Sequence, residues 1–287
     1  MRRIVQLFTM LLLSFHSSGQ HFELGYSIGL SNYLGDLAPS NLLVSLGESY
    51  PATGIFSKYN FNDRLALRGA LSFGRIGSSD AHSNNSDFRK IRNLNFRTDI
   101  FELALIGEFN LLRYQPYQGE RIFSPYIFGG IAVYSFNPKT FFEGEWYDLQ
   151  ALGTEGQGIT GYPNKYKRTQ ISIPFGAGIK YMLLQRLNIG IEIGLRKTFT
   201  DYLDDTSNSY PDLVALAATN GQLAAELSWR TDDINEDAIP PTEGQGRGDP
   251  SDLDWYIFTK FSISYNFFNF GNSKKRYRPT KLKCPVF

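Results

Sequence analysis

The sequence predicts an all-β fold, an eight-stranded antiparallel transmembrane β-barrel of the outer membrane with long extracellular loops. Three observations lead to this prediction. The chain of 287 residues opens with the pattern of a secretory signal peptide. Apolar residues then alternate with polar or small ones in eight segments, each about ten residues long, which is the length of a tilted membrane-crossing strand. Long and short connections also alternate along the chain between these segments, as they do in outer-membrane barrels.

The leader comprises residues 1–20. It begins with Arg2 and Arg3, continues with an apolar run over 4–15 and ends on small residues before Gln20. The run is too short to span a bilayer, which takes about 20 apolar residues. A short N-terminal anchor or a buried helix is the alternative. We expect cleavage near Gln20 and export of the mature chain from the cytoplasm.

The eight alternating segments follow the leader at 22–31, 53–61, 65–74, 101–109, 125–136, 171–181, 187–196 and 255–267. In 187–196, for example, every odd position is Leu or Ile, and the even positions are Asn, Gly, Glu, Gly and Arg. Successive strand side chains point to opposite faces, so each segment has one apolar face. The pattern is less regular in 53–61 and 125–136. A soluble lipocalin or sandwich would alternate as well, with its apolar face turned inward.

The less apolar faces of these segments carry nine charged residues, namely Glu23, Lys58, Arg68, Glu102, Glu108, Lys180, Glu192, Arg196 and Lys260. Four are acidic and five are basic. We expect them to form a barrel-interior charge network, because the bore of an eight-stranded barrel holds little more than its own side chains and paired charges suit it. On a soluble sandwich they would form an ordinary solvated surface. A filled bore disfavours a diffusion pore.

Connection lengths give an independent indication. The first, third, fifth and seventh connections are long, at 35–52, 77–97, 137–169 and 200–254, whereas the others, at 62–63, 111–123 and 183–186, are short. Long connections of such barrels are extracellular and short ones periplasmic. We therefore expect both termini in the periplasm, with a signal peptide over 1–20, the barrel over 21–270 and a basic periplasmic tail over 271–287.

The composition excludes several classes of function. Lys and Arg total 29 and Asp and Glu total 28, which leaves no basic excess for general nucleic-acid binding. One Cys rules out an internal disulfide framework and a Cys-based zinc site, and three His are too few for a His-rich metal centre. We expect no cofactor, no metal, no nucleic acid and no small-molecule substrate, and outer-membrane lipid as the surrounding partner.

The last long connection is strongly acidic. Between Asp201 and Asp254 thirteen Asp and Glu face only Arg230 and Arg247, for a formal charge of −11. It could be a divalent-cation or partner site, or a solvated surface loop; it has no calcium-loop spacing. Short helices are predicted at 212–218 and 222–229. The glycine-rich stretch 153–161 lacks the Lys and the strand and helix context of a phosphate loop, so a flexible loop is predicted there.

Catalysis has little support in the sequence. A barrel esterase needs a Ser beside a His that an acid orients. His82 is the only His within a long external connection, and Asp80, Ser83 and Ser86 lie near it in sequence. A loop rich in Ser and Asn commonly has this composition. We therefore expect no enzyme.

The C-terminal segment 271–287 is basic and has no acidic residue. It is either a disordered tail or a docking segment for an acidic or lipoprotein partner, and its end could form an intermolecular disulfide. The residues concerned are Lys274, Lys275, Arg276, Arg278, Lys281, Lys283 and Cys284.

Six short motifs in order along the mature chain resemble the PorG family of Bacteroidota. They are YLGDL at 33–37, KYNFND at 58–63, RNLNFR at 92–97, FNPK at 136–139, TEGQG at 154–158 and FTDYLDD at 199–205. The resemblance implies a non-catalytic outer-membrane barrel of the type IX protein secretion system, which exports proteins and supports gliding motility. It also implies that the barrel anchors a periplasmic ring of a PorK-like lipoprotein and a PorN-like protein. It transfers no catalytic residues.

Three other functions stay open on the sequence. The barrel could bind or transport a small or hydrophobic ligand. It could be a surface enzyme that acts on envelope lipid through His82. It could also be a surface adhesin, an interpretation that depends on the acidic connection alone.

Overall fold

A computed structural model describes residues 21–38, 47–82, 87–114, 121–184 and 186–267. It contains ten strands, with bounds His21–Leu34 (β1), Tyr50–Asn60 (β2), Leu65–Ser79 (β3), Asn95–Asn110 (β4), Phe123–Ser135 (β5), Pro138–Phe142 (β6), Glu145–Asp148 (β7), Thr169–Leu184 (β8), Leu187–Thr198 (β9) and Trp255–Phe267 (β10). The predicted signal peptide and the basic tail lie outside the described residues.

Eight of these strands close into a barrel. Strands β1 to β5 pair antiparallel in chain order, β5 pairs with β8, β8 with β9, and β9 with β10. Strand β10 then pairs with β1, from Phe22 opposite Phe267 to Leu34 opposite Trp255, which closes the ring. The short strands β6 and β7 form a separate hairpin within the β5–β8 connection. The prediction of an eight-stranded antiparallel barrel is confirmed.

The two faces of each strand have opposite environments. On β4, Phe101 and Leu103 are 61% and 59% exposed, whereas Glu102 between them is 2% exposed. The same alternation of exposed aliphatic and buried polar residues runs through the other barrel strands. A water-soluble protein does not expose a continuous apolar belt of this size. The arrangement is typical of a transmembrane barrel, with apolar residues outside and polar residues within.

The connections at the two ends of the barrel differ as predicted. Strands β2 and β3 are joined by a tight turn in which the side chain of Asn62 accepts hydrogen bonds from the backbone N–H groups of Arg64 and Leu65. At the other end the connections fold into structure of their own. They contain the short helices Asp87–Arg92 (α1), Leu149–Leu152 (α2), Leu213–Asn220 (α3) and Gln222–Ser228 (α4).

The two predicted helices of the acidic connection are present, and Asp212 accepts hydrogen bonds from Val214 and Ala215 as the N-cap of α3. No helix in the described parts of the chain is both long and apolar enough to cross a membrane.

One sequence-based expectation about the loops was wrong, and one of the alternatives for the acidic connection holds only in part. The stretch 153–161 is not a flexible loop, because Thr154, Glu155 and Gln157 are buried against the last long connection. That connection is only partly a solvated surface, because both of its ends turn inward over the barrel mouth. Its buried acids are Asp201, Asp204, Asp205 and Asp254. The physical reason is that the long connections pack on one another, which local sequence patterns do not record.

Candidate functional site

The nine predicted interior charges all lie inside the barrel. Every one is 6% exposed or less. They stand on seven of the eight barrel strands, at the positions where the alternation turns a side chain inward. Two groups of contacts link them, one around Glu108 and one around Glu102.

Glu108 on β4 is the centre of the first group. Its Oε2 lies 3.5 Å from Lys58 Nζ and 3.3 Å from Lys180 Nζ. Its Oε1 lies 3.1 Å from Arg68 Nε, an ion-pair contact that lacks hydrogen-bond geometry. Lys58 also lies 3.0 Å from Glu23 on β1. One carboxylate thus ties together cations from three other strands.

Glu102 is the centre of the second group, nearer the long connections. Arg196 contacts both of its carboxylate oxygens, at 3.1 and 3.3 Å, and Tyr256 donates a hydrogen bond of 2.8 Å. Lys260 donates to the Ser72 hydroxyl at 2.7 Å and lies 4.2 Å from the centre of the Phe258 ring. A cation over an aromatic face is stabilised by the ring quadrupole.

The network fills the bore and fixes the strands that surround it. A cavity among these side chains has a volume of about 10 Å³, which is close to the least that one water molecule needs. Removal of one partner from a buried ion pair typically costs about 3–5 kcal/mol, because the other charge stays buried and unpaired. The arrangement can therefore hold a rigid wall together, and in the described residues the bore is occupied by side chains.

The long connections pack over the mouth of the barrel. We call this packed part, which comprises residues 33–38, 153–158 and 199–208 with Arg247 and Asp254, the loop cap. In it the Tyr33 hydroxyl lies 2.7 Å from Asp204 Oδ2 and 2.6 Å from Asp254 Oδ1. Asp254 also accepts a hydrogen bond from the backbone N–H of Leu203 at 2.8 Å. Strand β1 is thereby tied to both ends of the acidic connection.

A second set of contacts in the loop cap surrounds Glu155. Its carboxylate accepts hydrogen bonds from the backbone N–H groups of Ser207 and Asn208, at 2.8 and 3.1 Å, and from Arg247 at 3.0 Å. Arg247 also donates to the backbone oxygen of Asp205. The stretch 153–158 is thus held to both flanks of the acidic connection.

Burial raises the pKa of several acids in the loop cap. It raises the pKa of Asp204 to about 7, against the hydrogen bond from Tyr33. It raises the pKa of Asp205 to about 6, against the charge of Arg247. It raises the pKa of Asp201 to about 8, opposed by the Ser207 hydroxyl and reinforced by Asp204. Neither carboxylate oxygen of Asp201 makes a hydrogen bond of good geometry within the described residues.

Three motifs singled out by the family resemblance meet in the loop cap. Tyr33 belongs to the first motif, Thr154 and Glu155 to the fifth, and Asp204 and Asp205 to the sixth. Asp205 accepts hydrogen bonds from the hydroxyls of Thr154 and Tyr166. Sequence reasoning did not assign this cluster, although the spacing of short motifs on separate connections was a signal that they could lie together.

The described residues that contact His82 are not arranged as a Ser–His–acid triad. His82 Nδ1 lies 2.7 Å from Glu48, which also accepts a hydrogen bond from Ser78. Asp80 instead accepts two hydrogen bonds from Arg92. Ser83 and Ser86 lie outside the described residues. Among the described residues, Glu48 lies between Ser78 and His82, so His82 is not placed to activate the Ser78 hydroxyl as a base.

No group of three or more His, Cys, Asp or Glu in the described ranges is spaced to hold a metal ion. The seven predicted docking residues of the tail, from Lys274 to Cys284, lie beyond the last described residue, Phe267.

Among solved structures, the chain is similar to Ail, the attachment invasion locus protein of Yersinia pestis, with 12% identity and a TM-score of 0.38 over 86% of this chain and 97% of that one. It is also similar to Neisserial surface protein A, with 9% identity and a TM-score of 0.37 over 86% and 97%. A major outer membrane protein from Thermus thermophilus has 11% identity and a TM-score of 0.37 over 86% and 99%. At these identities no activity passes from those proteins to this chain. No curated protein matches it.

A family model described as a domain of unknown function, DUF6089, matches residues 2–225. The match extends from the leader through the first seven strands of the barrel and into α4. It spans well over half of the 287 residues. The protein therefore belongs to the DUF6089 family.

Proposed function

We propose that the protein is a non-catalytic outer-membrane barrel of the type IX protein secretion system, where it anchors a periplasmic ring complex. The observation that carries the proposal is a barrel with an apolar outer wall and a bore that is filled and cross-linked by its own charges. The wall of such a barrel fits in lipid, and the side chains that occupy its bore in the described residues favour a role in holding a partner in place over conduction of a solute.

The exposed belt supports a membrane location. Large apolar side chains such as Leu103, Ile131 and Ile171 are more than half exposed on the outer surface of the barrel. Burial of this surface in hydrocarbon releases water from apolar area, which is favourable at roughly 25 cal/mol per Å². An aqueous location would leave that surface hydrated.

The unequal ends of the barrel support an orientation. Strand β10 ends at Phe267 beside Phe22, at the same end as the tight β2–β3 and β8–β9 turns. Because short turns are periplasmic in bacterial barrels, we place both chain ends in the periplasm and the loop cap outside. The tail then starts at the membrane surface that a periplasmic ring would face.

The specific secretion system is supported by the six motifs that resemble the PorG family. Those at 33–37, 154–158 and 199–205 pack together in the loop cap, where Tyr33 contacts Asp204 and Thr154 donates a hydrogen bond to Asp205. Motifs that are distant in sequence and meet in space have a common structural reason to occur in one chain. The proposed partners are a PorK-like lipoprotein and a PorN-like protein.

The proposal is tested by cross-linked purification of the barrel from membranes. We expect periplasmic ring proteins to co-purify with the full chain and to be lost when 271–287 is deleted. A full-length variant in which the six Lys and Arg of the tail are changed to Gln tests the charge of the tail separately from its length. This variant should also fail to co-purify the ring proteins. Asp232→Asn with Asp237→Asn, on the opposite end of the barrel, is the matched control and should retain them. Capture by the tail-less barrel equal to the full chain would refute docking by the tail.

Adhesion is a second candidate, and exposed apolar residues of the acidic connection, outside the loop cap, favour it. Val214 on α3 is 79% exposed and Ile239 is 90% exposed, in a connection that is otherwise folded. Such exposed apolar side chains are available for contact with a protein surface. If a deletion strain secretes normally but Val214→Asp with Ile239→Asp abolishes attachment to a host or neighbour cell, adhesion replaces anchoring as the function.

A further inference from the structure

We propose that the loop cap is a proton-operated latch, in which a proton shared by Asp204, Tyr33 and Asp254 holds the acidic connection against β1 and is lost as the pH rises above neutrality. The latch concerns the connections at the barrel mouth and is independent of the partner at the other end. Its failure would therefore leave the anchoring function untouched.

The two contacts of the Tyr33 hydroxyl require an extra hydrogen. Its oxygen lies 2.7 Å from Asp204 Oδ2 and 2.6 Å from Asp254 Oδ1, both within hydrogen-bond distance. A phenol has one hydrogen to donate, and an ionised carboxylate has none. The second contact therefore needs a hydrogen on one of the two carboxyls, which then donates to the phenol oxygen. The observed distances therefore fit a pair in which one of the two carboxyls is protonated and the other is ionised.

Burial makes the extra proton necessary. Tyr33, Asp204 and Asp254 are 3%, 2% and 0% exposed, so water does not solvate a second negative charge. Two carboxylates that face one site cannot both be ionised without a large electrostatic cost. Burial raises the pKa of Asp204 to about 7 and raises the pKa of Asp254 well above its usual range.

The surrounding charges add to this effect. Asp36, from the β1–β2 connection, and Asp201, from the acidic connection, act on the pair with like charge. Arg92, the last residue of α1, is the opposing cation, and its guanidinium is already engaged by both carboxylate oxygens of Asp80. Arg247 is likewise engaged by Glu155. Arg92 and Arg247 are thus both paired with other acids.

The shared proton holds several segments together. Asp204 accepts a hydrogen bond from the backbone N–H of Thr206, and Asp254 accepts one from the backbone N–H of Leu203. The chain after β1 passes so closely that a Cβ at Gly35 would overlap Asp254 Oδ1 and the Tyr33 oxygen. Separation of the two carboxyls would thus loosen β1, the turn after it and both ends of the acidic connection.

A proton fits this site better than a metal ion. Among the described residues no three acidic or imidazole side chains are spaced as metal ligands. Each carboxyl of the pair already has a backbone donor on its other oxygen. The remaining gap between them is spanned by one phenol, which a proton completes without any change in the positions of the oxygens.

The direction of the pH dependence follows from the sign of the shifts. A carboxyl whose pKa is raised by folding stabilises the closed cap when protonated, and this stabilisation is lost as the pH passes the raised value. The closed cap is most stable below the pKa of a solvated Asp, about 4. Above that value the opening equilibrium rises by up to about tenfold per pH unit for one proton, and the stabilisation is lost once the pH passes the raised pKa.

Limited proteolysis of the full chain in detergent micelles tests the latch. The side chain of Arg247 is buried and its backbone oxygen accepts a hydrogen bond from Arg92, so trypsin reaches the bond after Arg247 only when the cap opens. The rate is normalised to a fluorogenic peptide in the same tube. We expect cleavage of the natural chain to be at least about tenfold faster at about pH 8.5 than at about pH 6.

Two variants identify the proton. Asp204→Asn carries a permanent donor in place of the protonated carboxyl, so its rise over the same range should be about tenfold smaller than that of the natural chain, with the remainder due to Asp201. Asp252→Asn, at an exposed acid of the same connection, is the matched control and should behave like the natural chain. Heat-dependent gel mobility verifies that the barrel stays folded at each pH. An equal rise in Asp204→Asn, or protection of the natural chain at high pH by millimolar Ca²⁺ alone, would overturn the proposal.

Discussion

Arg68 on β3 reaches Glu192 on β9 across the bore, with Nη1 2.7 Å from Oε2. In the closed order of the eight barrel strands these two strands stand four places apart, on opposite walls. Tyr126 donates a further hydrogen bond of 2.9 Å to the same carboxylate oxygen. The pair therefore acts as a strut across the barrel rather than as a bond between neighbouring strands.

The strut should contribute strongly to stability. We expect Glu192→Gln to lower the free energy of unfolding by about 3–5 kcal/mol, because it leaves the Arg68 guanidinium buried without its nearest carboxylate. Reversible urea unfolding in vesicles, followed by tryptophan fluorescence, measures this. Asp99→Asn breaks the half-exposed pair with Arg75 and is the control, with an expected loss of about 1 kcal/mol or less. Equal losses in the two variants would mean that the strut is not a buried ion pair.

The middle and the end of the exposed side of β4 should respond differently to a positive charge. Leu103→Arg places a cation on the outer apolar belt and should cost about 2–4 kcal/mol if that belt lies in the hydrocarbon. Leu111→Arg, at the exposed residue that follows β4, should cost about 1 kcal/mol or less because it lies nearer the interface. The same vesicle unfolding assay compares them, and a smaller cost for Leu103→Arg would contradict a lipid-facing belt.

Gly35→Ala should open the loop cap without unfolding the barrel. The added Cβ would collide with Asp254 and Tyr33, whose contacts hold the cap closed. Hydrogen exchange of residues 199–210 should become at least about tenfold faster, while the amides of β2 to β5 keep their protection. Gly47→Ala meets no atom within 4 Å and should leave both regions unchanged. Protection of the cap in Gly35→Ala would show that the approach of these segments is looser than described.

Asp201→Asn should stabilise the cap at alkaline pH. Burial raises the pKa of Asp201 to about 8, so the folded cap favours its protonated form and loses stability as the pH rises through that value. The amide removes the titration and leaves the shape unchanged. At about pH 9 we expect slower hydrogen exchange of 199–210 than in the natural chain, and below about pH 4, where the carboxyl is protonated in the open and the closed cap, no difference. Faster exchange at the higher pH would indicate that the ionised carboxylate is needed.

The barrel was predictable because the alternation of side chains that specifies each strand is a local property of the sequence. Alternation on β4 or β9 follows directly from side chains that point to opposite faces, and it places Glu102 and Glu192 inward without knowledge of their partners. The alternation does not say which charges pair. The strut between Arg68 and Glu192 depends on ring closure, which brings strands together that are 124 residues apart in the chain.

The loop cap was not predictable in the same way. Asp204 and Asp252 look alike in an acidic connection, yet one is buried under Tyr33 and the other is exposed. The difference arises from the packing of connections that are far apart in sequence, with no periodicity to mark it. The residues that meet there were singled out only as members of short motifs, which indicated their importance but not their contact.

The most direct test of a lipid-facing wall around a filled bore is the environment of alternate positions on β4 in an intact membrane. Single cysteines at 101, 103 and 105 and at 102, 104 and 106, in a Cys284→Ser background, carry a fluorophore in vesicles that contain brominated lipid. We predict strong quenching at the three odd positions and little at the three even ones, because outward side chains contact lipid and inward ones lie in the filled bore. Equal quenching at both sets, or reaction of the odd positions with a membrane-impermeant thiol reagent, would contradict this arrangement.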